Sequence, residues 1–86
     1  METGQIIKHL IVTEKATFVL DNENKLQFIV DIRATKEEIR NALESVFEIP
    51  VKNIRTMITF KGEKKAIVEL EEEGKAREIG TSLGVL

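Results

Sequence analysis

An α+β fold, a mostly antiparallel sheet with helices packed on it, is predicted by three features of this 86-residue sequence. Strand-like and helix-like periodicities follow one another in the order (β)–α–β–α–β–β–α, without the strict alternation that builds a parallel sheet. The stretch "ITFKGEKKAIVEL", Ile58–Leu70, reads as strand, tight turn and strand, which fixes one antiparallel pair. The apolar stripe that follows Thr35 needs an apolar surface to lie on, and the sheet supplies it. A chain of this length is expected to form a single domain, 1–86, with residues 1–5 as a flexible N-terminal tail.

"IIKHLIV", Ile6–Val12, is a short first strand. Thr13 then offers an N-cap for a helix over "EKATFVLDN", whose Ala16, Val19 and Leu20 share one face. The turn cluster "DNEN", Asp21–Asn24, ends it. "KLQFIVD", Lys25–Asp31, alternates, with Leu26, Phe28 and Val30 on one side and Lys25, Gln27, Ile29 and Asp31 on the other. Thr35 and Glu38 form a capping box. Ile39, Ala42, Leu43, Val46 and Phe47 continue it as one stripe, which stops before Pro50 because the residue ahead of proline disfavours helix. In the hairpin that follows, Ile54, Ile58 and Phe60 fit the core face of "VKNIRTMITF", and Ala66, Val68 and Leu70 that of "KKAIVEL". After "EEEG" comes a last helix burying Ala76, Ile79 and Leu83, with Gly84 as its C-cap. The second sheet face is left with Ile29, Met57 and Ile67 among Lys25, Arg55, Lys65 and Glu69, either a patch for a partner or scattered surface apolars.

The formal net charge is -2, yet residues 51–65 carry five cations (Lys52, Arg55, Lys61, Lys64, Lys65) against Glu63. This basic island in an acidic chain reads equally well as chance clustering on a solvated turn or as an electrostatic footprint. Cysteine is absent, which excludes disulfides and thiolate metal sites and suits a reducing compartment. No apolar run approaches the roughly 20 residues of a membrane span, and the N-terminus lacks a signal-peptide core, so a soluble intracellular domain is expected, with no membrane insertion. His9 is the only histidine, so a histidine metal site or a Ser–His pair has no second member. The consecutive Glu71, Glu72 and Glu73 diverge, and no phosphate-binding glycine motif is present. An enzyme, a bound cofactor, a metal site or a small-molecule substrate is therefore not expected. Base stacking of the kind used by RRM-type RNA readers is not expected either, because all four Phe, 18, 28, 47 and 60, are assigned to core faces. Phosphate binding by a lysine-tipped hairpin stays open.

Three separated motifs, "VTEKA" (Val12–Ala16), "NKLQFIVDIRATKEEI" (Asn24–Ile39) and "GEKKAIVEL" (Gly62–Leu70), occur in an order that resembles the universal large-subunit ribosomal proteins of the L-twenty-three family. The ending "LGVL" is similar to the archaeal members, and the resemblance runs from about Ile6 to the C-terminus. It implies a ribonucleoprotein of the translation machinery that binds large-subunit rRNA beside the polypeptide exit tunnel, in the cytoplasm. It also implies a neighbouring protein of the L-twenty-nine family and a docking platform for the signal recognition particle and other exit-site factors. By position, the resemblance places Lys8, His9, Thr13 and Lys15 in the N-terminal rRNA-contacting segment, and Glu14 at the position exposed for docking factors. It places Arg33 and Lys36 at a helix start, where backbone N–H groups also suit a phosphate. Lys61, Gly62, Lys64 and Lys65 match the hairpin that lies against rRNA, and Arg55 belongs to the same basic island.

The chain departs from that pattern at Leu10, where relatives usually carry Pro, and at Glu69, where they usually carry Lys, Arg or Thr. Its hairpin is of the short archaeal type, which is not expected to line the tunnel deeply. The function expected is that of an rRNA-binding structural protein that contacts phosphates and the minor groove and fixes RNA shape without reading sequence. The alternative is a free α+β interaction or regulatory domain with no nucleic-acid role.

Overall fold

The computed structural model describes residues 3–84. The elements are α1 (Thr3–Ile6), β1 (Ile7–Leu10), α2 (Glu14–Glu23), β2 (Lys25–Val30), α3 (Lys36–Phe47), β3 (Val51–Ile58), β4 (Lys64–Leu70) and α4 (Lys75–Ser82). This is the expected α+β order, preceded by a helical turn. That turn falls partly in the segment expected as a tail, and its Ile6 is a core residue. The sheet runs β1-β2-β4-β3, and every neighbouring pair is antiparallel.

One sheet face carries Leu26, Phe28 and Val30 of β2, Ala66, Val68 and Leu70 of β4, and Ile54 of β3. Leu20 of α2, Ile39, Ala42 and Leu43 of α3, and Ala76 and Ile79 of α4 close over it in one apolar cluster. The fold is thus two layers, helices on one side and an outer sheet face on the other. Phe28 and Phe47 meet across the layers with ring centroids 6.0 Å apart.

Helix ends are set locally, as the sequence predicts. The Thr13 hydroxyl accepts from the Ala16 amide at 3.1 Å. At α3 the Thr35 hydroxyl accepts from the Glu38 amide at 3.1 Å and the Glu38 carboxylate accepts from the Thr35 amide at 3.0 Å, the complete capping box. Gly84, at φ 78°, is the left-handed residue just past α4.

Two other ties join distant segments. Arg40 and Glu44, one turn apart on α3, grip both backbone groups of Val51: Arg40 Nη1 donates to its carbonyl at 2.6 Å and Glu44 Oε2 accepts from its amide at 3.0 Å. Asn24, left-handed at φ 57°, ends α2 and reaches further. Its Nδ2 donates to the carbonyls of Leu70 (3.1 Å) and Glu72 (2.8 Å), and its Oδ1 accepts from the amide of Ala76 at 2.9 Å. Helix α4 begins on Gly74, which has no side chain with which to cap it. Asn24 therefore supplies that cap from another part of the chain.

The core differs from expectation at the ends of elements. Ile58 is 58% exposed and Phe60 98% exposed, because β3 is an edge strand that stops at Ile58 and no helix covers the hairpin tip. Phe18 is 61% exposed, and Val46 and Leu83 also stand at the surface. Conversely Ile29 and Gln27, assigned to an open face, are only 6% and 8% exposed. They lie on β2, an interior strand, in register with His9 on one side and Lys65 and Ile67 on the other.

Replacing Asn24 with Ala removes three hydrogen bonds and keeps the left-handed backbone strain. We expect Asn24→Ala to lower unfolding free energy by about 2–4 kcal/mol, read from urea titration, with Asn24→Gly less harmful because only the hydrogen bonds are lost.

Candidate nucleic-acid interface

The register sorts the sequence-predicted residues by face. Across the outer face run three rows: His9, Ile29, Lys65 and Met57; Gln27, Ile67 and Arg55; and Lys25, Glu69 and Asn53. His9, Arg55 and Lys65 are therefore brought onto one surface. β1 begins at the end of the sheet where β3 and β4 join, since Ile7, Val30, Lys64 and Ile58 are in register across the four strands. That end also carries exposed Lys8, the loop through Arg33, and the hairpin tip with Lys61 and Gly62.

The hairpin turn is tightly held. The Thr59 amide donates to the Glu63 carbonyl at 2.8 Å, the Gly62 amide to the Thr59 carbonyl at 2.9 Å, and the Glu63 amide to the Thr59 hydroxyl at 3.3 Å. Gly62 sits at φ 82°, the left-handed position that a three-residue hairpin loop reserves for glycine. A side chain there would meet nothing within 4 Å, so the backbone angle alone demands glycine.

The lysines of the hairpin do different things. Lys64 turns to the helix side and its Nζ donates to the Ala34 carbonyl at 2.6 Å, fastening the hairpin to the loop before α3. Lys65, the next residue of a pleated strand, points to the outer face. Lys52 Nζ lies 3.8 Å from Glu69 Oε2, which gives a place to the acidic residue that departs from the family pattern. Among the described residues, Arg55, Lys61 and Lys65 make no ion pair or side-chain hydrogen bond, and they are the cations of the island open to an outside anion.

Other predicted positions are not gathered there. Thr13, Glu14 and Lys15 follow β1 at its far end, where the Thr13 hydroxyl is occupied as a helix cap while Glu14 and Lys15 are exposed. Lys36 opens α3 on the helix layer. The N-terminus of α3 is a poor phosphate cradle: the Thr35 and Glu38 amides are taken by the capping box, and Glu37 and Glu38 place carboxylates in the first turn. Arg33 is engaged by Asp31, with Nε to Oδ1 at 3.1 Å, Nη2 to Oδ2 at 3.2 Å and its own amide to Oδ1 at 2.8 Å. The Arg33 hydrogen bonds, side chain first, hold the Asp31 carboxyl down at about 2, and the guanidinium is shifted upward in return.

The residue that sequence reasoning missed is Phe60. Its place in the strand alternation put it in the core, but the loop geometry around Gly62 puts it at the tip. A lone Phe beside Lys-Gly, with the strand ending before it, is the available signal. No group of three or more potential metal ligands occurs among the described residues, and no helix there is long and apolar enough to cross a membrane.

Two outcomes test this geometry. Lys64→Met is expected to destabilise the fold by about 1–3 kcal/mol in urea titration, because the Ala34 carbonyl loses a charged donor, whereas Lys65→Met changes it by under about 0.5 kcal/mol. The depressed Asp31 carboxyl stabilises the fold above its unfolded value near 3.8, and that contribution fades as pH falls toward about 2. In Arg33→Met, carboxyl titration followed by NMR is expected to return Asp31 toward 3.8.

The family described as "Ribosomal protein L23" matches residues 5–78 of the chain. The chain is 40% identical over 85 residues to the "Large ribosomal subunit protein uL23" of Methanococcus aeolicus, covering 99% of each chain. It is 46% identical over 80 residues to the protein of the same description from Haloarcula marismortui, covering 93% of this chain and 94% of the relative. A match over most of the chain, on a sheet and hairpin that agree with the motifs, shows that the chain belongs to the Ribosomal protein L23 family.

Proposed function

We propose that the chain is a structural constituent of the large ribosomal subunit, working in the cytoplasmic ribosome, that binds large-subunit rRNA through the outer face and hairpin tip. The observation that carries this is the set Arg55, Lys61 and Lys65, which have no anionic partner among the described residues; Arg55 and Lys65 lie on the sheet face that no helix covers and Lys61 lies on the hairpin tip. Family membership supplies the RNA class and gives no reason to assign an enzymatic reaction. Phosphates are the natural counter-anion for such a surface, and the contacts position RNA without reading its sequence. Lys8 and His9 extend the surface onto β1, while Lys15, Lys36 and Thr13 contact RNA only if it wraps past the ends of the sheet.

Docking of exit-site factors, among them the signal recognition particle, is proposed for the far end. Glu14 is exposed in the first turn of α2, and exposed Phe18 follows one turn on, so a carboxylate and a ring share that flank. The neighbour of the L-twenty-nine family is a proposal resting on family likeness alone.

Filter binding of the full chain to large-subunit rRNA from Methanococcus aeolicus at a series of salt concentrations tests the RNA reading. Affinity is expected to fall steeply with salt, and Lys61→Glu and Lys65→Glu are each expected to weaken binding and to flatten the log–log slope by about 1. Salt-indifferent binding, or none, would sink the reading.

A further inference from the structure

Phe60 is the most exposed apolar side chain among the described residues, at 98%, and it sits on a turn closed by three hydrogen bonds. The ring stands between Thr59, whose backbone and hydroxyl accept and donate the turn's hydrogen bonds, and Lys61. Lys64 fastens the base of the same hairpin to the Ala34 carbonyl. The ring is therefore presented to solvent on a fixed platform, not on a loose loop. No apolar surface among the described residues covers it. Its neighbour in sequence, Lys61, is exposed and makes no ion pair among the described residues.

A protein partner would ask this ring for an apolar pocket and would have to desolvate the Lys61 ammonium beside it. An unpaired nucleobase asks for less. Every base has a π-face, and its own phosphate provides the anion for a flanking lysine. We propose that Phe60 and Lys61 form a one-nucleotide clamp, the Phe60 ring stacking on an unstacked base and the Lys61 ammonium pairing with that nucleotide's phosphate. This rests on the rRNA reading above and adds to it a stacking contact with no base preference. The clamp requires single-stranded or bulged RNA at the hairpin tip, since a base inside a duplex has no free face.

The chain contains no Trp, so Phe60→Trp places the only indole at the tip. Titrated with Methanococcus aeolicus large-subunit rRNA, Phe60→Trp is expected to show quenched emission, and titrated with heparin, a polyanion without bases, it is expected to show none. Phe60→Leu is expected to bind the rRNA roughly tenfold more weakly with the salt slope unchanged, and Phe60→Tyr within about twofold of the parent. Thermal melting of Phe60→Leu should match the parent, because the side chain touches no core. Unchanged rRNA affinity in Phe60→Leu, no quenching by rRNA, or equal quenching by heparin overturns the clamp while the parent's salt-dependent binding leaves the rRNA reading standing. Failure of the parent to bind rRNA overturns both.

Discussion

The side chain of Asn24 holds together elements that no local rule would join. It closes α2, pins the end of β4 through Leu70, fixes the acidic turn through Glu72, and caps α4 at Ala76. An amide is the one small side chain that donates twice and accepts at the same time, and Asn is also the non-glycine residue most at ease in the left-handed region. Both properties are used here. A domain of this size has only a modest core, so a polar node joining two helices to the central sheet weighs heavily in its stability. Arg40 and Glu44 do for the start of β3 what Asn24 does for the end of β4.

With the helices secured on one side, the opposite face of the sheet is left for something else. The chain's longest acidic run lies away from the hairpin end of that face. Glu71, Glu72 and Glu73 lie in the β4–α4 turn, at the end of the sheet remote from the hairpin tip. The protein is thus electrically lopsided, with a basic tip and an acidic far end, and a net charge of -2 conceals this. Such an arrangement orients the molecule on a polyanion instead of merely attracting it. It also eases the puzzle of a basic hairpin in an acidic chain, because the run of three glutamates lies at the opposite end from the lysine tip.

Cations that are neighbours in sequence need not share a task. Lys52 is matched by Glu69, Lys64 belongs to the architecture, and Arg33 is committed to Asp31. Counting charges along residues 51–65 overstates the number available to a partner, and the pleat explains why: adjacent strand residues face opposite layers. The surface that remains is smaller and better defined, and it includes a phenyl ring that charge counting could not see.

Much of the architecture was legible in the sequence because it is encoded locally. The caps at Thr13 and Thr35, the stripe through Ile39, Ala42 and Leu43, the alternation of Leu26, Phe28 and Val30, and the glycine turn at Gly62 each depend on residues a few positions apart. The family motifs were likewise legible, since they are strings of residues. What only the tertiary structure decided is long-range. The strand order β1-β2-β4-β3 made β2 an interior strand and buried Ile29, and it made β3 an edge that leaves Ile58 and Phe60 in water. The partners of Asn24 and Lys64 lie far along the chain, and no periodicity announces them. Periodicity tells which side of an element is apolar; only the packing of elements tells where that side ends.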